Sequence, residues 1–135
     1  MKMNEKLSSL ISNQIVAEYY SSYLYLSMSA YCNKEGFKGF ANWMHIQAQE
    51  ELAHGTHLFQ YVQDRDEMPA FDVIPKPNQE FNGLKDVFEH ILKHENHVTE
   101  SINEIATLAM EERDHATYAF IQWYVTEQIE EESTA

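Results

Sequence analysis

The strongest constraint on the fold is a helical repeat in residues 83–110. Inward-facing positions recur there at alternating steps of three and four, which is the spacing of one face of an α-helix. This row consists of Leu84, Phe88, Ile91, Glu95, Val98, Ile102, Ile105 and Ala109. All but Glu95 are apolar, so the segment predicts a helix with one buried face.

Three other segments have helical periodicity and span residues 4–33, 39–66 and 114–133. The inward row of the second consists of Phe40, Met44, Gln47, Glu51, His54, Leu58 and Tyr61. Gly36 favours a helix end after the first of them, and Asp114 is a good N-cap for the last. Short connections join the first helix to the second and the third to the fourth. The sequence therefore predicts two antiparallel helical hairpins.

The segment between the two hairpins, residues 67–82, contains Pro69, Pro75 and Pro77. A helix of about 27 residues is roughly 40 Å long, and about 15 extended residues span roughly 50 Å. The segment can therefore run back along the bundle. We predict an all-α, ferritin-like four-helix bundle in which one long crossover joins the hairpins, as a single domain over residues 1–135.

Composition and charge restrict the class of protein. The 135 residues carry a net charge of −13, which repels nucleic acids and anionic membranes and attracts cations. Cys32 is the single cysteine, so an intrachain disulfide is excluded. The sequence shows neither a signal peptide nor an apolar run of membrane-spanning length, and it predicts a cytoplasmic protein.

Polar side chains interrupt the inward row of every predicted helix. The residues are Glu18 and Tyr25 on the first helix, Glu51 and His54 on the second, Glu95 on the third, and Gln128 and Glu131 on the fourth. Buried carboxylates need a partner, and the inward rows contain no Lys or Arg. Carboxylates with one imidazole suit iron, manganese or zinc. The alternative is a set of protonated or water-linked core carboxylates.

Three histidines on the third helix form a second possible metal group: His90, His94 and His97 share one face about 130° from Glu95. A solvated histidine stripe is the favoured interpretation of this face. His57 lies one turn beyond His54, either beside the site or on the surface. Gly55 has no explanation in the sequence, because glycine weakens a helix by about 1 kcal/mol relative to alanine.

Four stretches carry a resemblance to the non-haem ferritins of bacteria and archaea. They are AEYYSSYLYLSMSAYC, HIQAQEELAHGTHLFQYV, ILKHENHVTESINEIATLAM and FIQWYVTEQIEEE. The resemblance covers essentially the whole sequence. It implies a ferroxidase that oxidises Fe(II) with dioxygen or peroxide and stores the product as a mineral in a homo-oligomeric, 24-subunit cage.

The resemblance also implies a set of iron ligands. Glu18, Glu51 and His54 hold one iron, Glu51 bridges to a second iron held by Glu95, and Gln128 lies close by as a further candidate ligand. Tyr25 matches a tyrosine beside this di-iron centre. A third iron site, on the side that faces the cage interior, matches Glu50, Glu127, Glu130 and Glu131.

Departures from related families refine these expectations. Bacterioferritins bind haem through a methionine directly after the bridging glutamate, where this sequence has Leu52, so no haem is expected. Val98 follows Glu95 by three positions, so the site lacks a second Glu-x-x-His motif. Ferritins of this type also extend the fourth helix and add a fifth, whereas this sequence ends first. The alternatives are a rubrerythrin-type di-iron oxidoreductase or peroxidase and a metal-free structural bundle.

Overall fold

The computed structural model describes residues 2–134, so the two end residues of the predicted domain 1–135 lie outside the described residues. Its helices are α1 (Glu5–Lys34), α2 (Lys38–Asp64), α3 (Gly83–Glu111) and α4 (His115–Thr134). These bounds lie within two residues of the predicted ones, and residues 2–134 contain no β-strand. The all-α prediction is confirmed, whereas the assignment of the whole chain to one domain stays a prediction.

Local sequence signals begin and end the helices. The Asn4 side chain accepts hydrogen bonds from the backbone N–H groups of Lys6 and Leu7 at the start of α1. Gly36 has a φ of +87°, which takes the chain out of α1 in the left-handed region that glycine tolerates best. Asp114 Oδ1 accepts the Thr117 N–H at 3.0 Å, as predicted for the N-cap of α4.

The crossover runs back along α1, from its beginning towards its end. Four hydrogen bonds mark this path in chain order: Met3 N to Glu67 Oε2 (2.9 Å), Ala70 N to Ser12 Oγ (3.0 Å), Ser27 Oγ to the Asn78 carbonyl (2.6 Å), and Gly83 N to Tyr31 Oη (2.8 Å). Helix α3 therefore begins beside the end of α1 and runs antiparallel to it. Because α2 is also antiparallel to α1, α2 and α3 are parallel, as the long crossover predicts.

A buried ion pair fixes the start of α4 against the end of α2. Arg65 Nη1 donates to Asp114 Oδ1 at 3.1 Å, to Tyr61 Oη at 2.8 Å and to Thr117 Oγ1 at 3.0 Å. Both charged side chains are largely buried, and the Thr117 hydroxyl group also donates to Asp114 Oδ2 at 2.9 Å. Helix α4 therefore runs antiparallel to α2, which brings its inward face towards the middle of the bundle.

Two apolar clusters form the core. The first includes Leu7, Ile11, Ile15, Leu58, Val62, Ile102, Ile105 and Ile121. The second includes Leu24, Met28, Met44, Phe81, Val87 and Ile91. Along each of the four helices, the predicted polar residues lie beside these clusters in the central part of the bundle. They form a buried layer of polar side chains, which we call the polar layer: Glu18, Glu51, His54, Glu95 and Gln128.

Some residues of the predicted inward rows are not fully buried near the ends of the helices. Phe40 is 42% exposed at the start of α2, and Leu84 and Phe88 are half-buried at the start of α3, where Val87 is buried instead. Tyr61 is half-buried near the end of α2. None of the helices within residues 2–134 has the length and apolarity needed to cross a membrane.

Candidate metal centre

Three residues of the polar layer form a compact group at the middle of the bundle. The Nδ1 atom of His54 lies 3.4 Å from Glu51 Oε2 and 3.8 Å from Glu18 Oε2. One ligand atom from each of the three lies within 4.8 Å of the others, and all three side chains are buried. Glu51 and His54 reach this point together because residues three apart lie on one face of a helix.

A second group shares Glu51 with the first. One carboxylate oxygen from each of Glu51, Glu95 and Glu131 lies within 4.8 Å of the other two. Glu95 and Glu51 are buried, and Glu131 is half-buried. Two sets of ligand-type atoms that meet at one carboxylate can hold two cations side by side, with Glu51 between them.

Hydrogen bonds hold Glu95 in place. Tyr25 Oη donates to Glu95 Oε1 at 2.9 Å, and Gln128 Nε2 lies 3.2 Å from Glu95 Oε2. The Gln128 amide nitrogen therefore orients Glu95. The sequence-based assignment of Gln128 as a direct ligand stays a prediction, and so does the role of Tyr25 beside the iron.

Two carboxylate oxygens of the polar layer are buried without a hydrogen-bond partner. They are Glu18 Oε2 and Glu51 Oε1. An unpaired buried acceptor is unfavourable by roughly 1–3 kcal/mol, and more when it is charged. Both atoms belong to the group that also contains His54, so a cation bound there would satisfy them. This geometry fits a metal.

Electrostatics favour the same interpretation. Burial raises the pKa of Glu51 well above its ordinary range, and repulsion from Glu18 adds to the shift. Burial alone would lower the pKa of His54, but hydrogen bonds with Glu18 and Glu51 raise it to about 10. Burial would likewise raise the pKa of Glu18, but its contacts with His54 and Glu51 lower it overall. The metal-free pocket therefore holds protons that a cation can replace.

Next to the polar layer, a cavity of about 480 Å³ lies between α2 and α4. It is lined by the predicted third-site residues and their neighbours: Gln47, Glu50, Ala53, His54, His57, Trp123, Glu127, Glu130, Glu131 and Thr134. We call it the outer cavity. Glu50 and Glu130 are exposed, in contrast to the polar layer. Burial and repulsion from Glu95 raise the pKa of Glu131 to about 7.

Glu131 connects the two regions. Helical spacing placed it on the inward row of the fourth helix, and the resemblance implied a role in the third site. In the structure it lines the outer cavity and also lies within ligand distance of Glu51 and Glu95. His57 lines the same cavity, where its ring meets Trp123 edge-on with the centroids 6.2 Å apart. His57 is therefore a neighbour of the candidate site.

Two contacts that support Glu18 and His54 were not predicted from the sequence. Gln14 Nε2 donates to Glu18 Oε1 at 3.0 Å, one helical turn away. Tyr124 Oη donates to the backbone carbonyl of His54 at 2.6 Å and so joins α4 to α2 at the ligand itself. The sequence signal for Gln14 was its spacing of four from Glu18.

Thr99 supports the part of the site that contains Glu95 and Gln128. Its hydroxyl group accepts from Gln128 Nε2 at 3.1 Å and lies 2.9 Å from Glu132 Oε2, to which it can donate. Gln128 in turn contacts Glu95, so Thr99 fixes the amide that orients a candidate ligand. Thr99 lies one turn after Glu95 on α3, and its hydroxyl group is 3.0 Å from the Glu95 carbonyl. Its other partners come from α4 and could not be read from helical spacing.

Gly55 has a packing explanation. A Cβ atom at this position would lie 2.6 Å from Tyr19 Cε1, closer than a carbon contact allows. The Tyr19 ring therefore rests directly against the backbone of α2, and its hydroxyl group is 3.4 Å from Thr56 Oγ1. Glycine is required beside His54 because α1 places a large ring there.

The histidine stripe of α3 does not form a metal group among the described residues. His94 is half-buried, and its Nε2 lies 2.6 Å from Ser21 Oγ. His90 Nδ1 lies 2.8 Å from the Asp86 carbonyl, and His97 is exposed. The expectation of a solvated stripe therefore holds for His97 and is wrong for His94, whose ring packs against Tyr20.

The fold and this arrangement define a four-helix bundle with a buried group of carboxylates and imidazole that could hold a metal. Comparison with known proteins agrees. The ferritin family model, described as a ferritin-like domain, matches residues 8–135. The chain belongs to the ferritin family.

The matches to individual relatives cover almost the whole chain. The sequence is 42% identical over 133 residues to a bacterial non-heme ferritin of Bacteroides fragilis, covering 98% of this chain and 84% of the relative. It is 38% identical over 132 residues to a bacterial non-heme ferritin of Staphylococcus epidermidis, covering 98% and 80%. A solved open-pore ferritin from the hyperthermophilic archaeon Archaeoglobus fulgidus superposes with a TM-score of 0.95 at 45% identity, covering 98% of this chain and 80% of that one. The ferritin-like fold is thus confirmed.

Proposed function

We propose that this protein is an iron-storage ferritin whose polar layer is a ferroxidase centre for pairs of Fe(II) ions. The observation that carries the proposal is the pair of ligand groups that meet at Glu51, with buried oxygens of Glu18 and Glu51 unpaired. Family membership and the names of the relatives support iron as the metal. Oxygen ligands with one nitrogen also suit iron.

Iron is the substrate in this scheme. Glu18, Glu51 and His54 bind the first Fe(II), and Glu51, Glu95 and Glu131 bind the second. Binding displaces the protons held on His54 and the carboxyl groups, so the affinity rises with pH. The ligands neutralise two adjacent dications and hold them at a shared carboxylate.

Pairing the ions determines the redox chemistry. Two Fe(II) ions each release one electron, and dioxygen with two protons takes both to give hydrogen peroxide and two Fe(III). The pair avoids the one-electron reduction that would release superoxide. Peroxide is an alternative oxidant for the same two electrons, in which case water is the product. The protein contributes a template that holds both metal ions in place.

Tyr25 acts through Glu95. Burial and the nearby charge of Glu95 raise the pKa of Tyr25, so the phenol stays protonated and keeps its hydrogen bond to Glu95 Oε1. This bond fixes the orientation of a ligand to the second iron.

The acidic outer cavity would take Fe(III) from the centre towards a stored mineral. Glu131 borders both regions, and Glu50, Glu127 and Glu130 line the cavity beyond it. Storage requires a shell built from copies of this chain, which we infer from the ferritin relatives. A net charge of −13 draws Fe(II) towards the protein. We infer a cytoplasmic location on the same family grounds.

Aerobic addition of Fe(II) to the metal-free protein tests the proposal. Formation of Fe(III), followed by its ultraviolet absorbance, should be at least about 100-fold faster with wild-type protein than with Glu51→Ala, which removes the bridge. Glu104→Ala is the matched control, because Glu104 is exposed on α3. Circular dichroism establishes that each variant is folded.

The size of the product tests storage separately. Light scattering and analytical ultracentrifugation should find iron retained in a soluble protein shell. A Glu51→Ala variant that oxidises iron at the wild-type rate would contradict the ferroxidase centre. Rapid oxidation followed by precipitation of iron outside the protein would keep the centre and contradict storage.

A further inference from the structure

Glu132 differs from the other glutamates of α4. It is half-buried, but the lining of the outer cavity includes Glu127, Glu130 and Glu131 and does not include Glu132. Within residues 2–134, neither group of ligand-type atoms in the polar layer contains Glu132. Its position therefore needs an explanation other than direct contact with a metal.

The partner of Glu132 is a threonine on α3. Glu132 Oε2 lies 2.9 Å from the Thr99 hydroxyl oxygen. The same hydroxyl oxygen lies 3.1 Å from Gln128 Nε2, one turn earlier on α4. Because an amide nitrogen only donates and an ionised carboxylate only accepts, the hydroxyl group accepts from Gln128 and donates to Glu132. Thr99 thus joins two successive turns of α4 to α3.

The direction of these hydrogen bonds follows from the neighbouring acceptors. Gln128 Nε2 also lies 3.2 Å from the Glu95 carbonyl, which cannot donate, so this end of the amide is the NH2 group. The Thr99 proton has two acceptors within reach, Glu132 Oε2 and the Glu95 carbonyl at 3.0 Å. An ionised carboxylate is the stronger acceptor, because charge-assisted hydrogen bonds are roughly twice as strong as neutral ones.

This contact adjoins the second ligand group, which consists of Glu51, Glu95 and Glu131. Thr99 lies one turn after Glu95 on α3, and Glu132 directly follows Glu131 on α4. The Thr99–Glu132 hydrogen bond therefore sets the distance between the two helices at the level where both contribute a ligand. Glu131 also lines the outer cavity, so its place in the second group depends on how closely α4 approaches α3.

We propose that Glu132 is a positioning residue for the second iron and acts through its hydrogen bond with Thr99. The bond holds α4 against α3 and keeps the Glu131 carboxylate in the second ligand group. The inference rests on the proposed function for the identity of the metal. The first ligand group lies on α1 and α2 alone, so the loss of this bond should leave the first iron unaffected.

A purely electrostatic role for Glu132 is the alternative, since a negative charge close to the site attracts cations from a distance. Glu132→Gln separates the two roles, because it removes the charge and keeps an oxygen that can accept the Thr99 proton. A positioning role predicts that Glu132→Gln binds the second ion normally. An electrostatic role predicts the same loss in Glu132→Gln and Glu132→Ala.

Anaerobic titration of the intact protein with Fe(II), followed by calorimetry, tests the inference. Glu132→Ala should weaken the second ion by roughly tenfold and leave the first within about twofold of wild type. Glu132→Gln and Thr99→Ser, which keep the acceptor and the hydroxyl group, should bind both ions as the wild type does. Glu104→Ala is the matched control, because it removes an exposed glutamate from α3. Circular dichroism establishes that each variant is folded.

A Thr99→Val background isolates the hydrogen bond. Valine has the shape of threonine without the hydroxyl group, so Glu132→Ala should cause no further loss of the second ion in that background. A further tenfold loss would show that Glu132 acts independently of Thr99 and would overturn the inference.

The remaining outcomes separate this inference from the proposed function. Wild-type protein that fails to bind two ions per chain would contradict the proposed function and with it this inference. Normal binding by the wild type that Glu132→Ala leaves unchanged would contradict the role of Glu132 alone. Equal weakening of both ions in Glu132→Ala, or equal losses in Glu132→Ala and Glu132→Gln, would also overturn the positioning role.

Discussion

The polar layer and the outer cavity both contain glutamates and histidine, but they differ in burial and support: the polar layer is built from all four helices, and the outer cavity from α2 and α4. Glu18 and Glu95 are each 1% exposed, and hydrogen bonds from Gln14, Tyr25 and Gln128 hold them. Glu50 and Glu130 are exposed on the cavity wall. A buried, supported carboxylate has one position in which it can bind a metal. An exposed one can move and is solvated without any ion.

This difference implies a division of roles. Ligands in the polar layer cannot relax into water, so a metal ion bound there is held in a defined geometry suited to paired oxidation. The proposed ligands of the outer cavity are expected to bind an ion more weakly and to release it more easily. A fast chemical step and a slower transfer step are therefore expected at different residues, and variants on the two sides should affect different phases.

The largest contrast is expected between two histidines of α2. His54→Ala removes a ligand of the polar layer and should slow the first phase of Fe(II) oxidation by about 100-fold. His57→Ala, on the wall of the outer cavity, should leave that phase within about twofold of the wild-type rate. Stopped-flow absorbance measures both. Equal effects of the two substitutions would remove the distinction between the regions.

Glu130→Ala should have the reverse profile. The initial oxidation of two ions per chain should stay within about twofold of the wild-type rate. Later additions of Fe(II) should be oxidised roughly tenfold more slowly, because Fe(III) leaves the centre more slowly. Repeated additions in one cuvette resolve the two phases, with Glu104→Ala as the exposed control. Loss of the first phase would place Glu130 within the catalytic centre.

The pH dependence of stability probes the polar layer without metal. The pKa of His54 is raised from 6.5 to about 10 by Glu18 and Glu51. The stabilisation of the folded state by protonated His54 is therefore complete below pH 6.5, declines as the pH rises, and is lost above about pH 10. Between pH 6.5 and 9.5 we expect the melting temperature of the metal-free protein to fall by roughly 5 °C.

Two comparisons isolate the contribution of His54 to this pH dependence. His54→Gln should flatten the decline, because the imidazolium is absent while the acidic surface remains. Bound Zn(II) should flatten it as well, since the metal takes the place of the protons. A melting temperature that rises over this range in the wild-type protein would contradict the assignment of protons in the polar layer.

The smallest effect is expected beside the polar layer, at Gly55. Gly55→Ala should destabilise the protein by about 1 kcal/mol or more, because the new methyl group collides with the Tyr19 ring. In a Tyr19→Leu background the same change should stabilise it by about 1 kcal/mol through helix propensity. Urea unfolding of the two single variants and the double variant measures the coupling. Additive effects would contradict the packing explanation.

Sequence reasoning located the polar layer because helical phase is reliable near the middle of a long helix. Glu18, Glu51, His54 and Glu95 were all predicted to face inward, and all four are buried. The same argument failed for Phe40, which is 42% exposed at the start of α2. Near a helix end, burial depends on which neighbouring elements reach that far, and periodicity contains no information on this.

The spacing of residues along one helix could not predict contacts between helices. Glu131 was assigned to the third site, but its distance to Glu51 and Glu95 depends on how α4 packs against α2 and α3. Gly55 was unexplained because its partner, Tyr19, comes from α1. Gln47 lies on the predicted inward row and is buried there. Its neutral amide carries no charge that demands a partner, so helical spacing did not distinguish it from an apolar core residue.

The most direct test of the central claim is to locate the metal in crystals soaked anaerobically with Fe(II), using anomalous scattering at the iron edge. We predict two peaks in the polar layer, one among Glu18, Glu51 and His54 and one among Glu51, Glu95 and Glu131. Glu51 should contact both. A polar layer without iron, or iron bound only at the α3 histidines, would contradict the account.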